Sequence, residues 1–160
     1  MSIQKITPFL WFDHQAEEAV AFYTSIFPNS KTVKVVRYGP VGPGPAGSVM
    51  TVAFELDGQS FVALNGGPHF KFTEAISFVV NCETQEEVDK YWHALSGGGG
   101  EVQCGWLKDK FGLSWQIVPT LLPKLLSDPD PAKASRVMKV ILTMKKLDIR
   151  ALQQAYDAAK

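Results

Sequence analysis

The side chains able to do chemistry in this chain gather late in the sequence. Cys104-Gly105-Trp106-Leu107-Lys108-Asp109-Lys110 runs into Phe111-Gly112 and then Ser114-Trp115-Gln116-Ile117-Val118-Pro119. The pattern predicts a hairpin with arms Trp106 to Lys110 and Ser114 to Val118, turning at Phe111-Gly112. Alternation along a strand puts Ser114, Gln116 and Val118 on one face and Trp115 and Ile117 on the other. A primary amide between large apolar neighbours suggests a lined cavity in which Gln116 orients a ligand. The plainer reading is a strand residue that faces water. Lys108 and Asp109 read as an acid/base or ligand-orienting pair, or else as a solvated turn. Cys104 would need a base and a lowered pKa to act as a nucleophile, and the sequence places neither. Cys82, at a strand end, reads as packing.

The three histidines are scattered. His14 lies by a helix start, and His93 sits inside a helix between Trp92 and Ala94. Both read as surface. His69, on a connector after Asn65, is the one near a pocket, and its plainer reading is a loop residue. A single imidazole does not make a metal site.

Composition narrows the field. The chain has 160 residues, 16 basic and 16 acidic side chains and two cysteines. This length fits one domain or two small similar halves. Zero net charge and no basic run beyond Lys145-Lys146 argue against nucleic acid or an anionic membrane as the main partner. Two cysteines make neither a disulfide framework nor a four-ligand zinc site, and free thiols suit a reducing compartment. No apolar run approaches the roughly 20 residues that span a bilayer, and no signal peptide is apparent. A cytoplasmic protein is expected.

The elements that must position these residues follow in order. Ile6 to Phe12 reads as a strand, with pairing limited by Pro8. Asp13 offers a helix cap, followed by Ala16, Ala19, Val20, Tyr23, Ile26 and Phe27 at helical spacing and a stop at Pro28-Asn29. Lys31 to Tyr38 is a strand, and Gly39 to Gly47 a Pro/Gly loop. Met50 to Leu56 and Ser60 to Leu64 are strands joined by the hairpin signal Asp57-Gly58. After a connector containing Gly66-Gly67-Pro68 the pattern restarts. Ile76 to Val80 is a strand, Thr84-Gln85-Glu86-Glu87 a capping box, and Val88, Tyr91, Trp92 and Leu95 a buried helical stripe. Three more strands follow. Glu17 to Tyr23 and Glu86 to Trp92 share the spacing Glu-Glu, three residues, two aromatics. The fold class is thus α+β, with an internal duplication of about 65 residues. The expected domain covers residues 1–120, as β-α-β-β-β modules at about 5–66 and 74–119, with a helical extension over 121–160. There, Ala132 to Met144 is helical, Asp148 caps a last helix, and Leu147 staples onto Leu152. These helices pack on the chain's own sheet or on a partner subunit.

Particular blocks carry a resemblance. They are Pro8 to Phe12, Ala16-Glu17-Glu18-Ala19, Asn65-Gly66-Gly67-Pro68, Phe70 with Phe72, Cys104-Gly105-Trp106 through Pro119, and Met144 to Ile149. With them the chain resembles the vicinal oxygen chelate (glyoxalase/bleomycin-resistance) superfamily. The likeness is closer to its PhnB-like branch, also labelled 3-demethylubiquinone-9 3-methyltransferase. The resemblance implies two curved sheets, each enclosing a pocket, and a homodimer. It also implies a divalent metal held by His and Glu from the first and last strands of each module. Here those strands lack His, Asp and Glu, and Gln116 stands where a Glu would be, so no metal is expected. Transfer of a methyl group from S-adenosylmethionine would come with a glycine-rich strand-to-helix turn. None of the three glycine clusters has that setting, so this cofactor is not expected either.

The remaining picture is a pocket of Trp11, Phe72, Trp106 and Trp115, with Phe70 nearby and with Asn65, His69, Lys108 and Gln116 as polar points. Such a lining suits a small aromatic or amphiphilic ligand. The leading expectation is a small-molecule-binding protein. The alternatives are a methyltransferase-type enzyme acting on a quinone-like aromatic, and a metal-dependent lyase or dioxygenase-like enzyme with unusual ligands.

Overall fold

The computed structural model of the protein describes residues 3–158. The chain divides into two compact units, one ending at Phe72 and the other beginning at Thr73. The first contains β1 (Phe9–Phe12), α1 (Ala16–Ile26), β2 (Lys31–Arg37), β3 (Val49–Leu56) and β4 (Gln59–Asn65). The second contains β5 (Ser77–Cys82), α2 (Gln85–Ser96), β6 (Gly100–Glu101), β7 (Trp106–Lys108) and β8 (Ser114–Pro119). The sheet orders β1-β4-β3-β2 and β5-β8-β7-β6 are the same permutation. In both, the first strand runs parallel to the fourth and the other neighbours are antiparallel. These are paired β-α-β-β-β modules, the duplication that the repeat implied and the glyoxalase type that the resemblance implied.

In the first unit β1 is shorter than the apolar run that announces it. Pro8 has no amide to give, so pairing opens with its carbonyl, which accepts from the Val62 amide at 3.0 Å. Ile6 is left exposed. Helix α1 buries Ala16, Ala19, Val20 and Tyr23. Tyr23 stacks on Phe54, and Phe54 on Phe61, at centroid distances of 6.5 and 5.4 Å. Asp57 and Gly58 both have positive φ, at 48° and 78°, which is the twist a two-residue hairpin requires. Strand β2 carries a register shift between Thr32 and Lys34, and Val33 and Val35 remain exposed.

In the second unit the capping box forms with one change. The Thr84 hydroxyl accepts from the Glu87 amide at 3.2 Å, but the Glu87 carboxylate takes the Glu83 amide at 3.4 Å instead of that of Thr84. Val88, Tyr91, Trp92 and Leu95 are the buried stripe. Cys82 is fully buried. Burial pushes its thiol pKa up to about 11, and the nearby Glu87 charge adds to the rise. Cys104 is only partly buried. Alkylation of the native protein at pH 8 is therefore expected to consume one thiol quickly, at Cys104, and the second only on unfolding. Two equally fast thiols would contradict this burial.

Three helices complete the second unit: α3 (Leu121–Leu126), α4 (Pro131–Ile141) and α5 (Ile149–Asp157). The carboxylates of Asp130 and Asp148 cap the last two, each accepting a backbone amide at 3.0 Å. Helix α4 stops three residues before Met144, where Leu142 to Met144 turn back. Leu122, Leu125, Val137, Ile141, Leu147 and Leu152 form a core of their own, against which Cys104 and Val118 pack. Backbone bonds fix this core to the sheet. The Cys104 and Gly105 amides donate to the Met144 and Lys145 carbonyls, both at 2.8 Å. The Gln85 side chain spans to the start of α5, accepting from the Ile149 amide at 2.8 Å and donating to the Leu147 carbonyl at 3.1 Å. Thus the extension docks on its own unit. Gly105 has φ +84°, and a Cβ there would meet Leu147 at 3.0 Å and the Ile117 carbonyl at 3.1 Å. Gly105→Ala is expected to cost about 2 kcal/mol or more in urea unfolding. An unchanged midpoint would show that this junction does not matter. Among the described residues, no helix is long and apolar enough to cross a membrane.

Candidate functional site

The β7–β8 connection is built around one carboxylate. Asp109 is 2 % exposed. Its Oδ1 accepts from the Phe111 amide at 2.8 Å and the Leu113 amide at 3.1 Å, and its Oδ2 from the Trp115 indole at 2.9 Å. The first arm therefore ends at Lys108, and the turn runs from Asp109 to Leu113. Neither expectation for the Lys108–Asp109 pair fits this geometry. Asp109 is a sealed anchor and not a solvated turn residue. Lys108 is ion-paired with Glu74 instead.

Register then sorts the remaining side chains. Ser77, Ser114 and Lys108 lie side by side across β5, β8 and β7. Val79, Gln116 and Trp106 form the next row, and Asn81 and Val118 the one after. These rows share one face of the sheet. Residues of the other parity, Leu107, Trp115 and Ile117, are buried. Helix α2 packs on the same three strands, and its apolar stripe closes that side. The Gln116 amide donates to the Ser77 hydroxyl at 2.9 Å. Trp106, Lys108 and Gln116, all singled out from sequence, come together on the open face and are partly buried. Trp115 does not join them. It points to the helix side, bound to Asp109 and tilted against Phe78 at 5.6 Å.

The other four residues belong to the first unit and separate into two places. The Trp11 indole donates to the Gly67 carbonyl at 2.9 Å, and its ring meets the edge of Phe70 at 5.0 Å. A Cβ on Gly66 would lie 2.4 Å from that ring, so the Gly-Gly connector is what lets Trp11 lie flat beneath it. Phe72 packs on Phe12. Asn65 and His69 instead line a cavity of about 460 Å³ at the start of α1, together with Asp13, His14, Glu17 and Tyr38.

Asn65 is the residue whose role the sequence concealed. Its Oδ1 accepts from the Ala16 amide at 2.8 Å, and its Nδ2 donates to Glu17 at 2.7 Å and to the Val49 carbonyl at 3.1 Å. Its own carbonyl accepts from the Tyr38 hydroxyl at 2.6 Å. The Asp13 cap does not form. Gln15 is the N-cap residue and makes no side-chain cap bond. The Asp13 carboxylate lies 3.5 Å from His14. The second module caps its helix with local Thr84, while the first uses an amide from the far end of β4. An Asn closing a strand just ahead of Gly-Gly was the available signal.

The residues do not fit a divalent ion. Strands β1, β4, β5 and β8 offer no imidazole or carboxylate. Among the described residues, no group of three or more His, Cys, Asp or Glu is placed to hold a metal. His93 is on the exposed last turn of α2.

A family model described as 3-demethylubiquinone-9 3-methyltransferase matches residues 4–118. It spans both modules and ends before α3, so the block Met144 to Ile149 lies outside the match. Among solved structures, the PhnB protein from Bacillus cereus, which carries the same methyltransferase description, is 42% identical. That likeness covers 73% of this chain and 100% of that chain, with a TM-score of 0.67. A protein from Pseudomonas aeruginosa is 21% identical over 74% of this chain and 98% of that chain, at a TM-score of 0.60. A fosfomycin resistance protein from Listeria monocytogenes is 16% identical over 78% and 98%, at 0.56, which shows the shared fold alone. No curated protein matches. The extent of the family model and the identity to the Bacillus cereus protein make this chain a member of the PhnB-like family described as 3-demethylubiquinone-9 3-methyltransferase, within the vicinal oxygen chelate superfamily.

Proposed function

We propose that the chain is a small-molecule-binding protein that takes a planar or amphiphilic ligand on the open face of its second sheet. The observation that carries this reading is the register row of Trp106, Gln116 and the exposed Val79. An indole, a primary amide and a valine give a small apolar bed with one orienting group. The first unit's cavity supports a ligand less well. Among its polar groups, the Asn65 side chain is bonded to Glu17 and the Tyr38 hydroxyl to the Asn65 carbonyl.

The family's methyltransferase description finds no support in the glycine clusters. The Gly66 and Gly67 amides are committed to the Phe12 and Asp13 carbonyls, and Gly47 to Tyr38. Gly97 and Gly98 follow a helix instead of opening one. The domain organisation proposed is a duplicated module over 1–120 with an extension over 121–160 that shares the second module's unit. A homodimer and a cytoplasmic location are proposed with it, on the superfamily resemblance and the two free thiols.

The test is Gln116→Ala, assayed with an aromatic fragment set by calorimetry. Binding is expected to weaken about tenfold, from the loss of an orienting hydrogen bond, with little change in unfolding midpoint. A large fall in stability with unchanged binding would make Gln116 a structural residue and overturn the reading.

A further inference from the structure

The residue that caps α1 is also the one asparagine of the chain with a glycine after it. Asn65 precedes Gly66, whereas Asn29 and Asn81 precede Ser30 and Cys82. A side-chain amide is lost when the next backbone nitrogen attacks its carbonyl carbon. Glycine in that next position puts no Cβ in the way and reaches the needed backbone conformation freely. In the fold, each participant in that attack is held elsewhere. Asn65 closes β4 in extended register with Phe12. The Gly66 amide donates to the Phe12 carbonyl at 2.9 Å. The Asn65 side chain is fixed by the Ala16 amide, Glu17 and the Val49 carbonyl, at 2.8, 2.7 and 3.1 Å. Packing also demands both residues. The cap needs an acceptor and a donor on one short side chain, and a Cβ on Gly66 would lie 2.4 Å from the Trp11 ring. The fold therefore keeps a labile pair at a junction on which its own first unit depends.

We propose that Asn65-Gly66 is a latent deamidation site, closed in the folded protein and opened by unfolding, and that its reaction destroys the cap. The Gly66 nitrogen gives its proton to solvent base and bonds to Cγ of Asn65. The Cγ–Nδ2 bond breaks, and ammonia leaves with a proton from water. One water molecule then opens the resulting succinimide ring, at either carbonyl, to aspartate or isoaspartate. Nothing is oxidised or reduced. Both products lose the Nδ2 donor that serves Val49 and Glu17 and bring a carboxylate toward Glu17. Isoaspartate also lengthens the backbone by one carbon, which shifts Gly66 away from Phe12 and Trp11. Time spent unfolded is thus recorded in the chain, and unfolding becomes progressively irreversible.

The full chain, incubated at mildly alkaline pH with and without denaturing urea, tests the proposal. Peptide mass mapping follows the exchange of NH2 for OH at each asparagine. In urea, Asn65 is expected to react at least about tenfold faster than Asn29 or Asn81, and Gly66→Ala to slow it by a similar factor. Gly66→Ala is compared only in urea, so its ability to fold does not enter. Without urea, Asn65 is expected to react at least about a hundredfold slower than in urea, because reaction waits for opening. Partly reacted chains are then returned to urea just below the unfolding midpoint and treated briefly with protease. Reacted chains are expected to be cleaved at least about tenfold faster than unreacted ones. Equal rates at Asn65 with and without urea would overturn the closed site. Faster reaction at Asn29 or Asn81 in urea, or no effect of Gly66→Ala there, would overturn its assignment. Equal protease resistance of reacted and unreacted chains would overturn the damage to the cap.

Discussion

Replacing Asp109 by alanine is expected to destabilise the protein by about 3–5 kcal/mol, among the largest single-site effects in the chain. Three donors lose their acceptor at once: the amides of Phe111 and Leu113 and the indole of Trp115. The side chain is sealed from water, so solvent does not replace it without opening the turn. Asp109→Asn is expected to cost less, about 1–3 kcal/mol. It keeps an acceptor for the two amides but turns an NH2 group toward the indole. Trp115→Phe removes that indole donor, so the double variant Asp109→Asn/Trp115→Phe is expected to be less destabilised than the sum of the two singles. Chemical denaturation of the four proteins measures the coupling. Strict additivity, or an Asp109→Ala midpoint near wild type, would remove Asp109 from the centre of the turn. The turn matters to function because it joins the strands that carry Trp106 and Gln116.

Asn65→Ala is expected to cost about 2–4 kcal/mol, combining a lost helix cap with an orphaned carbonyl. The Ala16 amide and the Val49 carbonyl are left without this partner, and Glu17 loses its neighbour. Asn65→Asp separates the two roles. The cap acceptor survives, but the donor is gone and a second carboxylate faces Glu17. Its penalty is expected to be large at neutral pH and to shrink as the pH falls through the carboxylate range, because protonation removes the repulsion and restores a donor. Thermal unfolding between pH 4 and 8 measures this. Loss of ligand binding by Asn65→Ala with an unchanged midpoint would instead return Asn65 to the ligand site.

Most of the fold was legible because its signals are local. The Asp57-Gly58 turn, the Thr84 cap, the stripe from Val88 to Leu95 and the cap at Asp148 all involve partners within a few residues. The duplication was legible for the same reason, as two copies of one local pattern. What sequence left hidden depends on contacts between distant residues. Asn65 reaches 49 positions back to cap α1, so Asp13, the nearer candidate, looked sufficient. The burial of Asp109 depends on the indole six residues on and on the packing around it. The candidate site was legible in part. Strand parity already separated Gln116 from Trp115, and the rows on the open face follow from it. Parity did not reveal that Glu74, from the connector, would occupy Lys108, or that Ser114 would be buried without a partner.

The most direct test of the account is an NMR titration of the nitrogen-15-labelled protein with the aromatic fragment set, following the indole and side-chain amide signals. The account predicts saturable shifts at the Trp106 indole and the Gln116 amide, with little change at the Asn65 side-chain amide. Shifts confined to Asn65, His69 and the start of α1, with Trp106 and Gln116 unmoved, would place binding in the first unit's cavity and contradict it.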